Sequence, residues 1–556
     1  MSIRPEDAKA HAHAPAVTCC RFEAGTVIGP EHLEDPTVLP DLEQSGFLQI
    51  PDDCFTIGEA LGAVLRETVD GFTPLTSALL RQPPFSDVDR LPLADVLPGE
   101  HGREYRARKL VRKHFEIDAV KLGSATEIKD KTLYIRADLC HDALKADALL
   151  VDVQLDIVGP DRYGHYSHTL MDVQPIATKQ QGELGSGVTR VLDGVVAVVT
   201  GTDEHGVQIG EFGSSEGAMQ HQIMWGRPGA PDWGDILIKT HVTIKANTQM
   251  ERPGPLAAHK ATDVMVQEIR QALKQVDDQL AVETEELVHT RRPDCPKVVI
   301  VKEIMGQGAM HDNLLMPMEP VGIFGAKANV DLGNVPIVVS PMQVFDGCIH
   351  ALTCVGPASK ETSRHYWREP LVVDVMRDTE LDLCAVILVG SPQSHAEKRY
   401  VSHLLGVTVE AMDVAGAIVT TEGFGNNHID FASHIEQIGQ RGIPVVGMTY
   451  AAVQGQLVIG NSYMDAMVEL NKSATGTEDC VLATNTLTHE DAIRAIAMLK
   501  AKMTGEWIQP AEGQWAPDVK RRNLRAIALY TGQSLDRVTH ANPSDAAISA
   551  EGTERR

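Results

Sequence analysis

Aromatic residues, cysteine pairs, long apolar runs and positive charge are all scarce in this sequence, and each shortage excludes something. Phe, Trp and Tyr make up 4% of the 556 residues, while Gly and Val are plentiful, which suits α/β layers better than an all-β sandwich. The nine cysteines include no CxxC pair. An odd number spread over such a length describes neither a disulfide framework nor a zinc knuckle, so reduced thiols are expected and no metal site is. Apolar runs such as ‘VVAVV’ at 195–199 fall far short of the roughly 18 residues that cross a bilayer. The opening ‘MSIRPEDAKAHAHAP’ has no apolar signal core, so a soluble, cytoplasmic protein is expected. With 76 Asp and Glu against 50 Lys and Arg, the net charge of −26 repels a phosphate backbone and an anionic membrane surface. Neither nucleic acid nor a membrane is an expected partner.

What is present is enough chain, at 43% hydrophobic, to bury several ordinary cores. Residues 1–100 are Pro-rich and broken by turn signals, with one helical pattern at ‘IGEALGAVLRETV’, and read as an irregular N-terminal extension. Residues 101–290 carry the strand patterns ‘TLYIRADL’, ‘ALLVDVQLDIV’, ‘RVLDGVVAVVTG’ and ‘DILIKTHVTI’, then the amphipathic helix pattern ‘ATDVMVQEIRQALKQVDDQL’, and predict an α+β domain. Across 291–535 the buried-strand runs ‘KVVIVKEI’, ‘VGIFGA’, ‘VPIVVSPM’, ‘CAVILVG’, ‘GAIVTTEG’ and ‘IPVVGMTY’ alternate with helical patterns such as ‘EKRYVSHLLG’ and ‘DFASHIEQIGQRG’. That alternation predicts a doubly wound, mostly parallel α/β sheet. Residues 536–556 read as a frayed polar tail.

Ligands of such sheets bind outside the carboxyl ends of the strands, so the residues after each strand are where chemistry is sought. In ‘VTTEGFGNNHIDF’ (419–431) two glycines permit close backbone approach, and Glu422, Asn426, Asn427 and His428 crowd polar groups ahead of a helix. The same residues would also serve as a plain helix cap. Nucleotide-loop spacings are missing there. A second stretch, ‘CIHALTCVGPASKETSRHYWREP’ (348–370), sets Cys354 after an apolar run and before a Gly-Pro helix start. Lys360, Arg364, His365 and Arg368 follow at helical spacing, and a thiolate would be favoured beside them. From the residues alone Cys354 is a nucleophile, a redox thiol or a core residue, and His350 and His365 are surface residues or bases.

The stretches ‘LTCVGPASKETSRHYWREPLV’, ‘TTEGFGNNHIDF’, ‘GIPVVGMTYAAVQGQLVIGN’ and ‘NTLTHEDAIRAIAMLKAKM’ resemble the pyruvoyl-bearing component of the glycine, sarcosine, betaine and D-proline reductases. The segments ‘AHAPAVTCCRFEAGTVIGPEHLEDP’ and ‘TVDGFTPLTSALL’ resemble the D-proline branch of that family. The resemblance implies a proprotein that cuts itself at Thr353-Cys354 into chains 1–353 and 354–556, the residue from Cys354 becoming an N-terminal pyruvoyl group. Sulfur attacks the Thr353 carbonyl, β-elimination leaves dehydroalanine, and hydrolysis of its imine tautomer gives the ketone and ammonia. That ketone is an electron sink, and with the secondary amine of D-proline it forms a cationic iminium that weakens the C–N bond.

By the same resemblance, a selenocysteine- or cysteine-containing partner subunit attacks Cα to yield 5-aminopentanoate. An electron-donor protein supplies that partner, and an oligomeric assembly is expected. Glu422, Asn426, Asn427, His428, Arg364 and Arg368 are the candidate substrate-binding residues, and His350 and His365 the candidate bases. Cys19 and Cys20 are either redox-active or structural. The readings left open are a reductase of glycine, sarcosine, betaine or a hydroxylated proline, and an unprocessed, non-enzymatic binding homologue.

Overall fold

The computed structural model describes residues 107–209, 215–223, 225–226, 231–248, 253–304, 316–317, 334–346, 349–350, 368–392, 394–421, 427–449, 460–470 and 487–506. The N-terminal extension, the tail and Thr353-Cys354 lie outside them. Among the described residues no helix is long and apolar enough to cross a membrane.

The first part is α+β. Strands β1 (Arg108–Glu116), β2 (Ala119–Gly123), β3 (Glu127–Lys129) and β4 (Thr132–Arg136) lead to helix α1 (Leu139–Ala143) and β5 (Leu150–Val158). Then come β6 (Tyr166–Gln174), β7 (Ala177–Gln181), β8 (Gly187–Asp193), β9 (Val195–Asp203), β10 (Ser215–Ala218), α2 (Met219–Gln222), β11 (Ile236–Ile244), α3 (Pro253–Lys274) and β12 (Glu283–His289). They form a four-stranded sheet β12-β1-β8-β7, a five-stranded sheet β10-β6-β9-β11-β5 and a three-stranded sheet β2-β4-β3. The helical period of α3 lays Ala257, Ala258, Ala261, Met265, Ile269 and Leu273 into a core with Phe115, Ile117, Val195 and Val199.

The run 190–201, which reads as a single strand segment, is two strands. Gly194, at φ +77°, separates β8 from β9, and the two enter different sheets. A Cβ there would lie 2.5 Å from the Ile117 carbonyl oxygen, so a glycine is required for both space and dihedral.

The second part begins with β13 (Lys297–Ile304), β14 (Met316–Pro317), β15 (Ile337–Val339), α4 (Pro341–Phe345) and β16 (Ile349–His350). It continues with α5 (Pro370–Arg377), β17 (Asp382–Gly390), α6 (His395–Ala411), β18 (Gly416–Thr421), α7 (Asn427–Gly439), β19 (Val445–Thr449), β20 (Met467–Glu469) and α8 (His489–Met503). Six strands make one sheet in the order β15-β17-β13-β18-β19-β20. Only the edge strand β15 is antiparallel to its neighbour; the other pairs are parallel.

Both faces of the sheet are covered. Val299, Val301, Val389 and Val419 pack on Val401, Leu405, Phe431 and Ile435 of α6 and α7. Val298, Ile300, Val386 and Ile418 pack on residues of α4, α5 and α8. Burial on both faces is why these strands read as continuous apolar runs, each buried Val, Leu or Ile contributing about 1.5–3 kcal/mol relative to exposure. The architecture is the α/β fold expected from the alternation, with the α+β part before it. Leu110 of β1 joins Met342, Val344 and Phe345 in one core, so the two parts meet at α4.

Candidate functional site

The chain runs from β13 outward to β17 and then crosses to β18 on the other side of β13. The direction of winding therefore reverses between β13 and β18, and the crevice outside their carboxyl ends is the place where a ligand is expected. Glu303 of β13 and Thr421 of β18 are register partners there, and the Thr421 hydroxyl donates to Glu303 Oε1 at 3.2 Å. Strand pleating sends Lys302 and Glu303 to opposite faces. Lys302 Nζ lies 3.2 Å from Glu369 Oε2, immediately before α5. Glu303 Oε2 lies 3.7 Å from Nε2 of His434 on α7. All four of these ionisable side chains are buried.

The adjoining strand end adds a second polar group. Ser391, just after β17, donates to Asp430 Oδ2 at 2.5 Å, and Lys398 of α6 donates to the same carboxylate oxygen. Asp430 and Lys398 are buried, and burial pushes the Asp430 carboxyl upward against the pull of Lys398 and Ser391. Residues 430 and 434 are one helical turn apart, which is how one helix serves both β17 and β13. Burial, reinforced by the Lys398 ammonium, pushes His434 down to about 3. His434 is therefore neutral at neutral pH despite the nearby carboxylate.

Of the residues proposed from sequence, His428 is in the first turn of α7, where its Nε2 shares a 2.7 Å hydrogen bond with the hydroxyl of Thr449, the last residue of β19. Burial pushes it down to about 4. Its ring is packed at the carboxyl ends of the strands, linking α7 to β19. Arg368 holds Asp232 with two bonds, Nη1 to Oδ1 at 2.9 Å and Nη2 to Oδ2 at 2.5 Å. Asn427 opens α7, and the His350 backbone pairs with Met316 in the β14–β16 ladder. Glu422, Asn426, Thr353, Cys354, Arg364, His365, Cys19 and Cys20 lie outside the described residues.

Sequence reasoning missed Lys302, Glu303, Ser391, Lys398, Asp430 and His434. A Lys-Glu pair ends the apolar run ‘KVVIVKEI’, and Asp430 and His434 are one turn apart on a helix whose polar face is buried, but neither feature marks Ser391 or Lys398 or says which groups meet. These buried polar groups lie at the carboxyl ends of β13, β17 and β18, the last of which ends at Thr421. Among the described residues no group of His, Cys, Asp and Glu side chains converges as a metal site.

The model of the glycine/sarcosine/betaine reductase component B subunits matches residues 108–475, spanning both parts of the fold and the rim. The chain belongs to the component B reductase family. It is an enzyme component of the reductase class. It is 54% identical, over 96% of each chain, to the D-proline reductase proprotein of Acetoanaerobium sticklandii. To the glycine reductase complex component B subunits alpha and beta of the same organism it is 23% identical, over 65% of this chain and 83% of the relative. To the sarcosine reductase complex component B subunit alpha of Peptoclostridium acidaminophilum it is 29% identical, over 31% of this chain and 39% of the relative. These component B relatives are subunits of larger complexes by name. No solved structure matches the chain significantly.

Proposed function

We propose that the chain is the proprotein of a D-proline reductase, which opens D-proline reductively to 5-aminopentanoate through a pyruvoyl group made from its own Cys354. The observation that carries this reading is the 54% identity over 96% of both chains to a D-proline reductase proprotein, against 23% to a glycine reductase component. That near-complete coverage extends beyond residues 108–475 of the family model, which favours proline over glycine, sarcosine or betaine as substrate.

In the self-cleavage, the Cys354 thiol adds to the Thr353 carbonyl and the amine of Cys354 leaves it, giving a thioester. Loss of the Cα proton expels the Thr353 thiocarboxylate, which water converts to carboxylate and sulfide; the enamine left behind tautomerises to the imine, which a second water hydrolyses to the ketone and ammonia. The pyruvoyl carbonyl supplies an electron sink for the substrate amine. Glu369, downstream of the cut, is buried against Lys302 at the carboxyl end of β13, and this return of the chain to the crevice fits a reactive carbonyl near the rim. Glu422, Asn426 and Asn427 are assigned to the substrate and Arg364 to its carboxylate. His428, bonded to Thr449, and Arg368, bonded to Asp232, hold the surrounding backbone. His350 and His365 are the candidates for the base that takes the Cα proton. The two electrons come from a separate selenol- or thiol-bearing subunit, reloaded by an electron-donor protein, in a cytoplasmic assembly.

Intact mass tests the reading. Expressed with its partner subunit, the protein should appear as chains 1–353 and 354–556, the second reactive with phenylhydrazine, while Cys354→Ala remains one unlabelled chain. Borohydride should fix D-proline, and not glycine, to the residue derived from Cys354. A full-length, unlabelled wild-type species would refute the enzyme mechanism, and trapping of glycine instead would refute the substrate.

A further inference from the structure

Asp346 ends α4, shortly before the position proposed for cleavage, and its side chain is completely buried. Three donors converge on that one carboxylate. Lys179 Nζ reaches Oδ2 at 2.6 Å, the Thr189 hydroxyl reaches Oδ1 at 2.6 Å, and the Gly185 backbone N–H reaches Oδ2 at 2.8 Å. All three belong to the β7–β8 hairpin of the α+β part, so one part of the molecule grips the chain of the other. Arg112 of β1 adds a bond from Nη1 to the Phe345 carbonyl at 3.5 Å.

The hairpin is shaped for this contact. Gly185 has φ +80°, and a Cβ on it would lie 2.8 Å from Gln343 Cγ and 2.9 Å from Gln343 N of α4. Only glycine lets the turn approach closely enough to offer its N–H. On the other side the helix is set by a capping box, Ser340 with Gln343, so Asp346 is presented from a rigid turn.

A carboxylate removed from water is costly unless fully paired, and this one is paired entirely by groups that hold the exit of α4 in one place. The chain is held again downstream, where Arg368 pairs with Asp232 and Glu369 with Lys302. We infer that Asp346, seated in the Lys179–Thr189–Gly185 socket, is a positioning residue for self-cleavage that fixes the upstream end of the processing segment so that the Cys354 thiol meets the Thr353 carbonyl. This rests on the cleavage proposed above. An N-to-S shift demands a near-attack geometry, and displacement of one partner by about 1 Å costs on the order of 100-fold in rate.

Pulse-chase of the full-length chain measures the cleavage rate, and the melting temperature of the purified protein reports the fold. Asp346→Asn keeps the shape, removes the charge and should cleave about 10- to 100-fold more slowly. The precursor that accumulates should resist hydroxylamine, because the thioester itself fails to form. Thr189→Val removes one of the three bonds, is milder should Asp346→Asn fold poorly, and should slow cleavage by several-fold, about 3–10. Thr488→Ala, which deletes the capping box of α8 and lowers stability away from the socket, should cleave at the wild-type rate. Folded Asp346→Asn and Thr189→Val proteins that cleave as fast as wild type would overturn the inference while leaving the proposed function intact. The same holds if Thr488→Ala slows cleavage as much as they do. A wild-type chain that is never cut would overturn both.

Discussion

At the scale of single residues, two imidazoles carry a cost that grows with acidity. His428 is pushed down to about 4 and His434 to about 3, in both cases first by burial. The unfolded chain takes up these protons near pH 6.5 and the folded chain does not. Below pH 6.5 the unfolded state therefore binds more protons, and stability falls as pH falls toward 4. A displacement from 6.5 to about 4 at His428 is worth about 3 kcal/mol once the lower pH is reached. Asp430, pushed upward by burial, acts in the opposite sense, so the test compares two proteins that share it. Urea unfolding between pH 7 and 4 should show a shallower loss of stability for His434→Leu than for wild type, whatever the offset at pH 7. Parallel curves would mean that His434 takes up its proton alike in the folded and unfolded states.

At the scale of elements, strand boundaries depend on dihedrals that hydrophobic pattern does not carry. The segment 190–201 reads as one strand although Asp193-Gly194 interrupts its apolar residues, and Gly194 turns the chain out of one sheet and into another. Gly194→Ala imposes a left-handed backbone on an L-residue and sets a methyl 2.5 Å from the Ile117 oxygen. It should destabilise by more than about 1–2 kcal/mol, read as a lower urea midpoint at unchanged slope. A midpoint equal to wild type would show that β8 and β9 tolerate a different junction. The buried parallel strands were far more legible, because continuous runs such as ‘KVVIVKEI’ and ‘CAVILVG’ leave no exposed face to interrupt them.

At the scale of the whole molecule, the proposed cut divides one sheet between two polypeptides. β13 and β15 precede residue 353, whereas β17, β18, β19 and β20 follow it. β13 is hydrogen-bonded on one side to β17 and on the other to β18, so the upstream chain supplies an interior strand of the downstream chain's sheet. The Arg291–Asp382 pair, at 2.6 Å, and the bond between His289 and the Leu383 carbonyl cross the same division. The processed chains should elute together in native size exclusion and part only in denaturant, with one cooperative transition. Separation in buffer containing high salt alone would contradict this, since salt screens ion pairs and leaves an apolar core intact.

The amino-acid sequence by itself determined the α/β class and the direction of the strands. Apolar periodicity records burial, and burial on two faces is a local property of each strand. Cys354 and the stretch 422–428 were singled out because of their residue types and a family resemblance, and Cys354 and residues 422–426 lie outside the described residues. The switch-point cluster of Glu303, Lys398, Asp430 and His434 was not legible, since its members are far apart in the chain and meet only when α6 and α7 close over β13 and β17, while Lys302 meets Glu369 on the opposite face. Nor was the socket around Asp346, which joins β7, β8 and α4 across a long sequence separation. Pairing of buried charges is decided by proximity in space, and only the tertiary fold creates it.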